Sequence, residues 1–75
     1  LLNFGQFIKS KRESLRLSQQ SLTDACGFVH RAEISRLEAG KLEWKLSQVI
    51  AIAALFGMPA SELLREFEGT NNGSR

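Results

Sequence analysis

Hydrophobic positions in this chain recur every three or four residues, the period of a helix with one side buried. Phe4, Phe7, Ile8 and Leu15 form the first such stripe, and Lys9, Lys11, Arg12 and Glu13 fill its other faces. Asn3 stands where a side chain can accept the unpaired N–H groups of a helix start, and Leu17 closes the segment. Ser18 is the next start signal, ahead of an apolar stripe of Leu22 and Cys26. Gly27 ends that short helix, because glycine enters the left-handed region at little cost. A turn through Phe28 and Val29 leads to a third helix, expected from about His30 to Glu38. There Ile34 and Leu37 face inward, and Gly40 is the stop.

A loop over Lys41 to Lys45 carries Trp44. The fourth helix holds Leu46, Val49, Ile50, Ile52, Ala53 and Phe56, and Gly57 ends it. Apolar nearly all round, it is expected to be the central, most buried helix. Pro59 suits a fifth start, and Leu63, Leu64 and Phe67 make the fifth stripe. No alternating pattern or hairpin turn pair supports a strand. The expectation is an all-α, compact five-helix bundle over residues 1–68. Residues 69–75 are polar and glycine-containing, and read as a flexible C-terminal tail.

Length adds that 75 residues make one domain, with net stability on the order of 3–5 kcal/mol. Such a domain gains by pairing with a second copy. The formal charge of +2 is modest, but it is unevenly placed. Up to Lys45, the cations Lys9, Lys11, Arg12, Arg16, Arg31, Arg36, Lys41 and Lys45 outnumber Glu13, Asp24, Glu33, Glu38 and Glu43. Beyond it, Arg65 and Arg75 face Glu62, Glu66 and Glu68. That division fits one face turned toward a polyanion, and equally an ordinary solvated surface. Cys26 is the only cysteine, so internal disulfides and cysteine-rich metal sites are excluded. It reads as an inert, buried thiol in a reducing, cytoplasmic setting. The apolar run from Val49 to Phe56 is too short to span a membrane, and no signal peptide is visible. His30 is the only histidine, with no other ligands spaced around it to hold a metal. No nucleophile–base pair and no phosphate-binding glycine loop points to an enzyme or a cofactor.

Two short helices joined by a glycine turn, the second with a basic exposed face, have the layout of a helix-turn-helix. The DNA major groove, about 12 Å wide, accepts one helix. The first helix of such a pair crosses the backbone and can hold a phosphate at its N-terminus; Ser18 and Gln19 occupy that end. The second must project polar side chains while its back stays apolar, as Arg31 and Arg36 with Ile34 and Leu37 do.

Leu17-Ser18-Gln19, Leu22, Gly27 and Ile34-Ser35-Arg36-Leu37-Glu38-Ala39-Gly40-Lys41 resemble the motif of the phage repressor and Cro family, the XRE family. The resemblance continues through Leu46, Val49, Ile50, Ile52, Ala53 and Gly57 to Glu62-Leu63-Leu64. It implies a five-helix phage-repressor-type fold and double-stranded operator DNA as ligand, bound by a homodimer on a palindromic site. Carried over, Arg31, Ala32, Glu33, Ser35 and Arg36 would read bases, and Ser18, Gln19, His30, Lys41 and Lys45 would meet phosphates. Arg12 and Glu38 match an arginine–glutamate pair that is structural in the family. Three departures stand out: an extra residue in Phe28-Val29, His30 at the third helix's N-cap in place of Ser or Thr, and Trp44 where many members have proline. The extra residue bears on how the third helix is rotated.

Arg36 is the favoured base reader, because arginine can bond guanine through two donors; a surface pair with Glu33 is the plainer alternative. Arg31 divides evenly between base and phosphate. Glu33 either accepts from cytosine or repels phosphates in wrong registers, and Ser35 either contacts DNA or faces solvent. Trp44 either packs on the bundle, lies along the sugar-phosphate backbone, or joins a dimer contact. Phe4, Phe7 and Phe28 read as core or turn packing. Phe56, Met58, Pro59, Leu63, Leu64 and Phe67 form the expected dimer seam, with completion of the core as the other reading of Leu63, Leu64 and Phe67. The function expected is a DNA-binding transcriptional regulator, a repressor acting by occupancy in a cytoplasmic, nucleoid-associated setting. The competing expectation is a protein-interaction module, such as an antitoxin that also autoregulates.

Overall fold

The computed structural model describes residues 3–72, which fold as five α-helices. They are α1 (Phe4–Ser14), α2 (Gln19–Cys26), α3 (Arg31–Glu38), α4 (Leu46–Leu55) and α5 (Ala60–Asn72). Local chemistry sets most of the ends. Asn3 caps α1 reciprocally: its side chain accepts from the Gln6 N–H at 2.8 Å, and the Gln6 side chain accepts from the Asn3 N–H at 3.3 Å. Ser18 caps α2, accepting from the Ser21 N–H at 3.1 Å. Gly27 closes α2 at φ 73°, and the Phe28 N–H returns to the Thr23 carbonyl. The same hydrogen-bond pattern closes α1, where the Leu17 N–H reaches the Arg12 carbonyl at 3.0 Å. The left-handed position there is filled by Arg16, at φ 59°.

The core joins Phe7 and Ile8 of α1, Leu22 of α2, Ile34 and Leu37 of α3, Val49, Ile52 and Ala53 of α4, and Leu63 of α5. Packing runs α1 on α3, α2 on both α3 and α4, and α4 on α5. An aromatic cluster seals one end. Phe4 meets Trp44 and Phe67 edge-on, with ring centroids 5.3 and 5.1 Å apart, and Phe7 lies 5.4 Å from Phe67. Trp44 therefore packs on the bundle, the first of the three roles open to it. Its indole N–H is buried without a hydrogen-bond partner among the described residues. Lys11 and Glu66, 2.8 Å apart, tie α1 to α5.

Four expectations need correcting. α4 is not wrapped on all sides: Val49, Ile52 and Ala53 face the core, but Leu46 is 68% exposed and Ile50 51%. Helical spacing sets Leu46, Ile50 and Ala54 in one outward row. Leu15 lies just past the end of α1 and is exposed, so it adds nothing to the first stripe. Leu63 is fully buried, which removes it from any surface seam and assigns it to the core. Finally, α5 continues through Gly69 to Asn72, so the stretch read as a tail begins as helix; residues 73–75 lie outside the described region. Among the described residues, no single helix is long and apolar enough to cross a membrane.

Candidate nucleic-acid interface

The candidate interface is centred on α3. With Ile34 and Leu37 fully inside, the helix is wedged by its apolar back. Its other faces carry Arg31, Ala32, Ser35 and Arg36, all exposed, and Glu33, half-buried. Arg36 makes no ion pair among the described residues, with Glu33 or any other carboxylate, and neither does Arg31. Both guanidiniums therefore stand free to meet an anion or a base edge.

The two turn residues before α3 take opposite directions. Phe28 is partly buried and packs against the core, taking the inward place at the turn. Val29 is looped outward, and His30 enters in extended backbone (φ −125°, ψ 141°) as the N-cap. Ile34 and Leu37 face the core, as their spacing predicts. His30 makes no side-chain capping bond and is exposed. The N-terminus of α3 thus keeps unpaired N–H groups pointing outward.

The C-terminal end of α3 is anchored more firmly. Arg12 of α1 donates from Nε to Glu38 Oε2 at 2.8 Å and from Nη2 to Oε1 at 3.3 Å. Its Nη1 donates to the Leu17 carbonyl at 2.9 Å. Arg12 is 8% exposed and Glu38 3%, so neither faces a ligand. Gln19, half-buried at the start of α2, donates from Nε2 to Glu38 Oε1 at 3.1 Å. One carboxylate therefore gathers α1, α2 and α3. Its gathering is possible because Gly5 lets α1 approach closely: a Cβ there would collide with the carbonyl oxygens of Leu37 and Glu38. Cys26 sits half-buried on α2, and burial raises its thiol above the usual range. That direction disfavours the thiolate, the reactive form.

Two concavities flank α3. One, of about 240 Å³, is lined by Gln6, Lys9, Gln19, Ser35, Glu38 and Ala39. The other, of about 460 Å³, lies between α3 and the loop before α4, lined by Phe28, Glu33, Leu37, Lys41, Leu42, Glu43, Lys45 and Gln48. Lys41 and Lys45 line the second and are exposed. Lys9 lines the first, beside Gln19 and Ser35. From the sequence Lys9 reads only as one of the residues filling the outer faces of α1, because local spacing does not tell which lysine the fold brings beside α3.

Of the expected dimer seam, Pro59 and Leu64 are exposed. Phe56, Met58 and Phe67 are partly buried and pack against the core.

The family profile described as helix-turn-helix matches residues 8–63. The chain belongs to the XRE family of helix-turn-helix DNA-binding regulators. The match spans most of the chain and runs from within α1 through α4 into α5. No curated protein and no solved structure gives a significant match. In this XRE domain, α2 and α3 are the helix-turn-helix pair, with α1 and α4 as its support.

Proposed function

We propose that this XRE domain is a sequence-specific repressor that binds a palindromic operator as a homodimer, with α3 in the major groove. The observation that carries the reading is the exposed flank of α3: two arginines without ion-pair partners among the described residues, on a helix whose opposite side is locked into the core. Arg36 is the principal base reader, bonding guanine bidentately for about 1–3 kcal/mol of discrimination. Arg31, Ala32, Glu33 and Ser35 complete the reading face. Lys41 and Lys45 on one side, Ser18, Gln19 and Lys9 on the other, and His30 at the helix entrance hold phosphates and fix the register. Gln19 keeps one amide hydrogen for that task while the other bonds Glu38.

Repression follows from occupancy, since a bound dimer denies polymerase the same duplex. A dimer must set its two reading helices about 34–36 Å apart, one turn of DNA. The seam proposed for it is formed by Phe56, Met58, Pro59, Leu64 and Phe67. The medium is the cytoplasm, with the protein on the nucleoid. A second reading, a protein-interaction module such as an antitoxin, draws support from one observation: the outward row of Leu46 and Ile50 on α4, which a protein partner would cover.

Titration of the purified chain with duplex DNA across a salt series separates these readings. The repressor reading predicts log–log salt dependence with a slope of several counterions, and two chains per site. A chain that binds no duplex at low salt contradicts it and favours the interaction module.

A further inference from the structure

Among the described residues Val29 is the most exposed large hydrophobic side chain, at 82%, and no core contact accounts for it. Both its neighbours are committed. Phe28 packs against the core and returns its N–H to the Thr23 carbonyl at 3.0 Å. His30 is the extended N-cap of α3. The residue between them is held at a fixed place on the outside, one position before the N-cap. That is the leading end of the helix, the end whose residues meet base edges when such a helix enters a major groove.

A valine there has neither donor nor acceptor. The one apolar group that a base presents in the major groove is the C5-methyl of thymine. We infer that Val29 is a specificity determinant that packs on a thymine methyl at one position of each operator half-site. The inference rests on the reading of α3 as the major-groove helix, and it adds an apolar contact to the polar ones of Arg31 and Arg36. It also gives the extra turn residue a use, since Val29 would extend the reading face by one side chain.

The test uses the full chain and the duplex it selects from a random pool. Each thymine is replaced singly by deoxyuridine, which removes only the methyl group. One thymine per half-site is expected to lose about fivefold in affinity on replacement, the scale of one buried methyl. With Val29→Ser, the thymine duplex should bind about fivefold more weakly than with the wild type, and deoxyuridine at that position should cost nothing further. Thermal unfolding of the variant should be unchanged, because the side chain has no core contact to lose. Equal binding by wild type and Val29→Ser overturns the inference, as does a deoxyuridine penalty that persists in the variant. A wild-type chain that selects no duplex at all overturns the DNA-binding reading itself. Selection that depends on Arg36 but not on Val29 overturns only the inference drawn here.

Discussion

Replacing Glu38 by alanine is expected to bring the protein close to its unfolding midpoint at room temperature. Its carboxylate, 3% exposed, accepts from Arg12 twice and from Gln19 once. Removing it leaves the Arg12 guanidinium, 8% exposed, with the Leu17 carbonyl at 2.9 Å and a distant Glu13 carboxylate at 3.8 Å. Breaking one side of a buried ion pair costs about 3–5 kcal/mol, because the surviving charge stays uncompensated. A domain of this size has about that much stability in total. Glu38→Gln keeps the shape and some of the hydrogen bonds and should cost less, about 1.5–3 kcal/mol. The double variant Arg12→Met, Glu38→Leu removes both charges and should recover most of the loss, since a buried pair is often no better than apolar packing of similar volume. Urea unfolding followed by far-ultraviolet circular dichroism of the wild type, Arg12→Met, Glu38→Leu and the double variant gives the four corners of the cycle. Additive single-variant effects, or a Glu38→Ala midpoint equal to wild type, would refute the claim that this pair holds α3 to α1.

Three further outcomes follow from particular contacts. Gly5→Ala should destabilise by about 1–3 kcal/mol, because the added Cβ would meet the Leu37 and Glu38 carbonyl oxygens, the latter at 2.7 Å, and backbone yields little; an unchanged melting temperature contradicts the close α1–α3 approach. Arg16→Gly should stabilise by about 1 kcal/mol, since the left-handed backbone at φ 59° is strained for a side-chain-bearing residue; chemical denaturation reads the shift. Lys41→Ala should weaken binding about equally on preferred and unrelated duplexes and lower the salt slope by about one; a loss confined to one sequence would make Lys41 a base reader instead.

The fold was legible where local chemistry decides it. Asn3 and Ser18 as caps, Gly27 as a left-handed stop, and the spacing of Ile34 and Leu37 each name their own role. What was not legible depended on which faces meet. The fourth helix is apolar all round by composition, yet composition does not say how many of its sides the rest of the chain can cover, and here Leu46 and Ile50 are left out. Leu63 and Leu64 are adjacent in a leucine pair, and only packing against α4 assigns the first to the core and the second to the surface. The stretch from Gly69 reads as tail because glycine and asparagine disfavour helix, while α5 carries its hydrogen bonding on to Asn72. On α3, the exposure of Arg31, Ser35 and Arg36 could be read from helical spacing. Lys9 could not, because its place beside Gln19 depends on how α1 docks. The outward turn of Val29 likewise depended on Phe28 taking the inward place.

Selection of binding sites from random duplex DNA, run in parallel with the wild-type chain and Arg36→Ala, tests the central claim most directly. The account predicts an enriched palindrome for the wild type, with half-sites one helical turn apart, and a lost preference for guanine at one position of each half-site in the variant. Enrichment of no sequence by the wild type, or an identical preference with and without the Arg36 guanidinium, would contradict it.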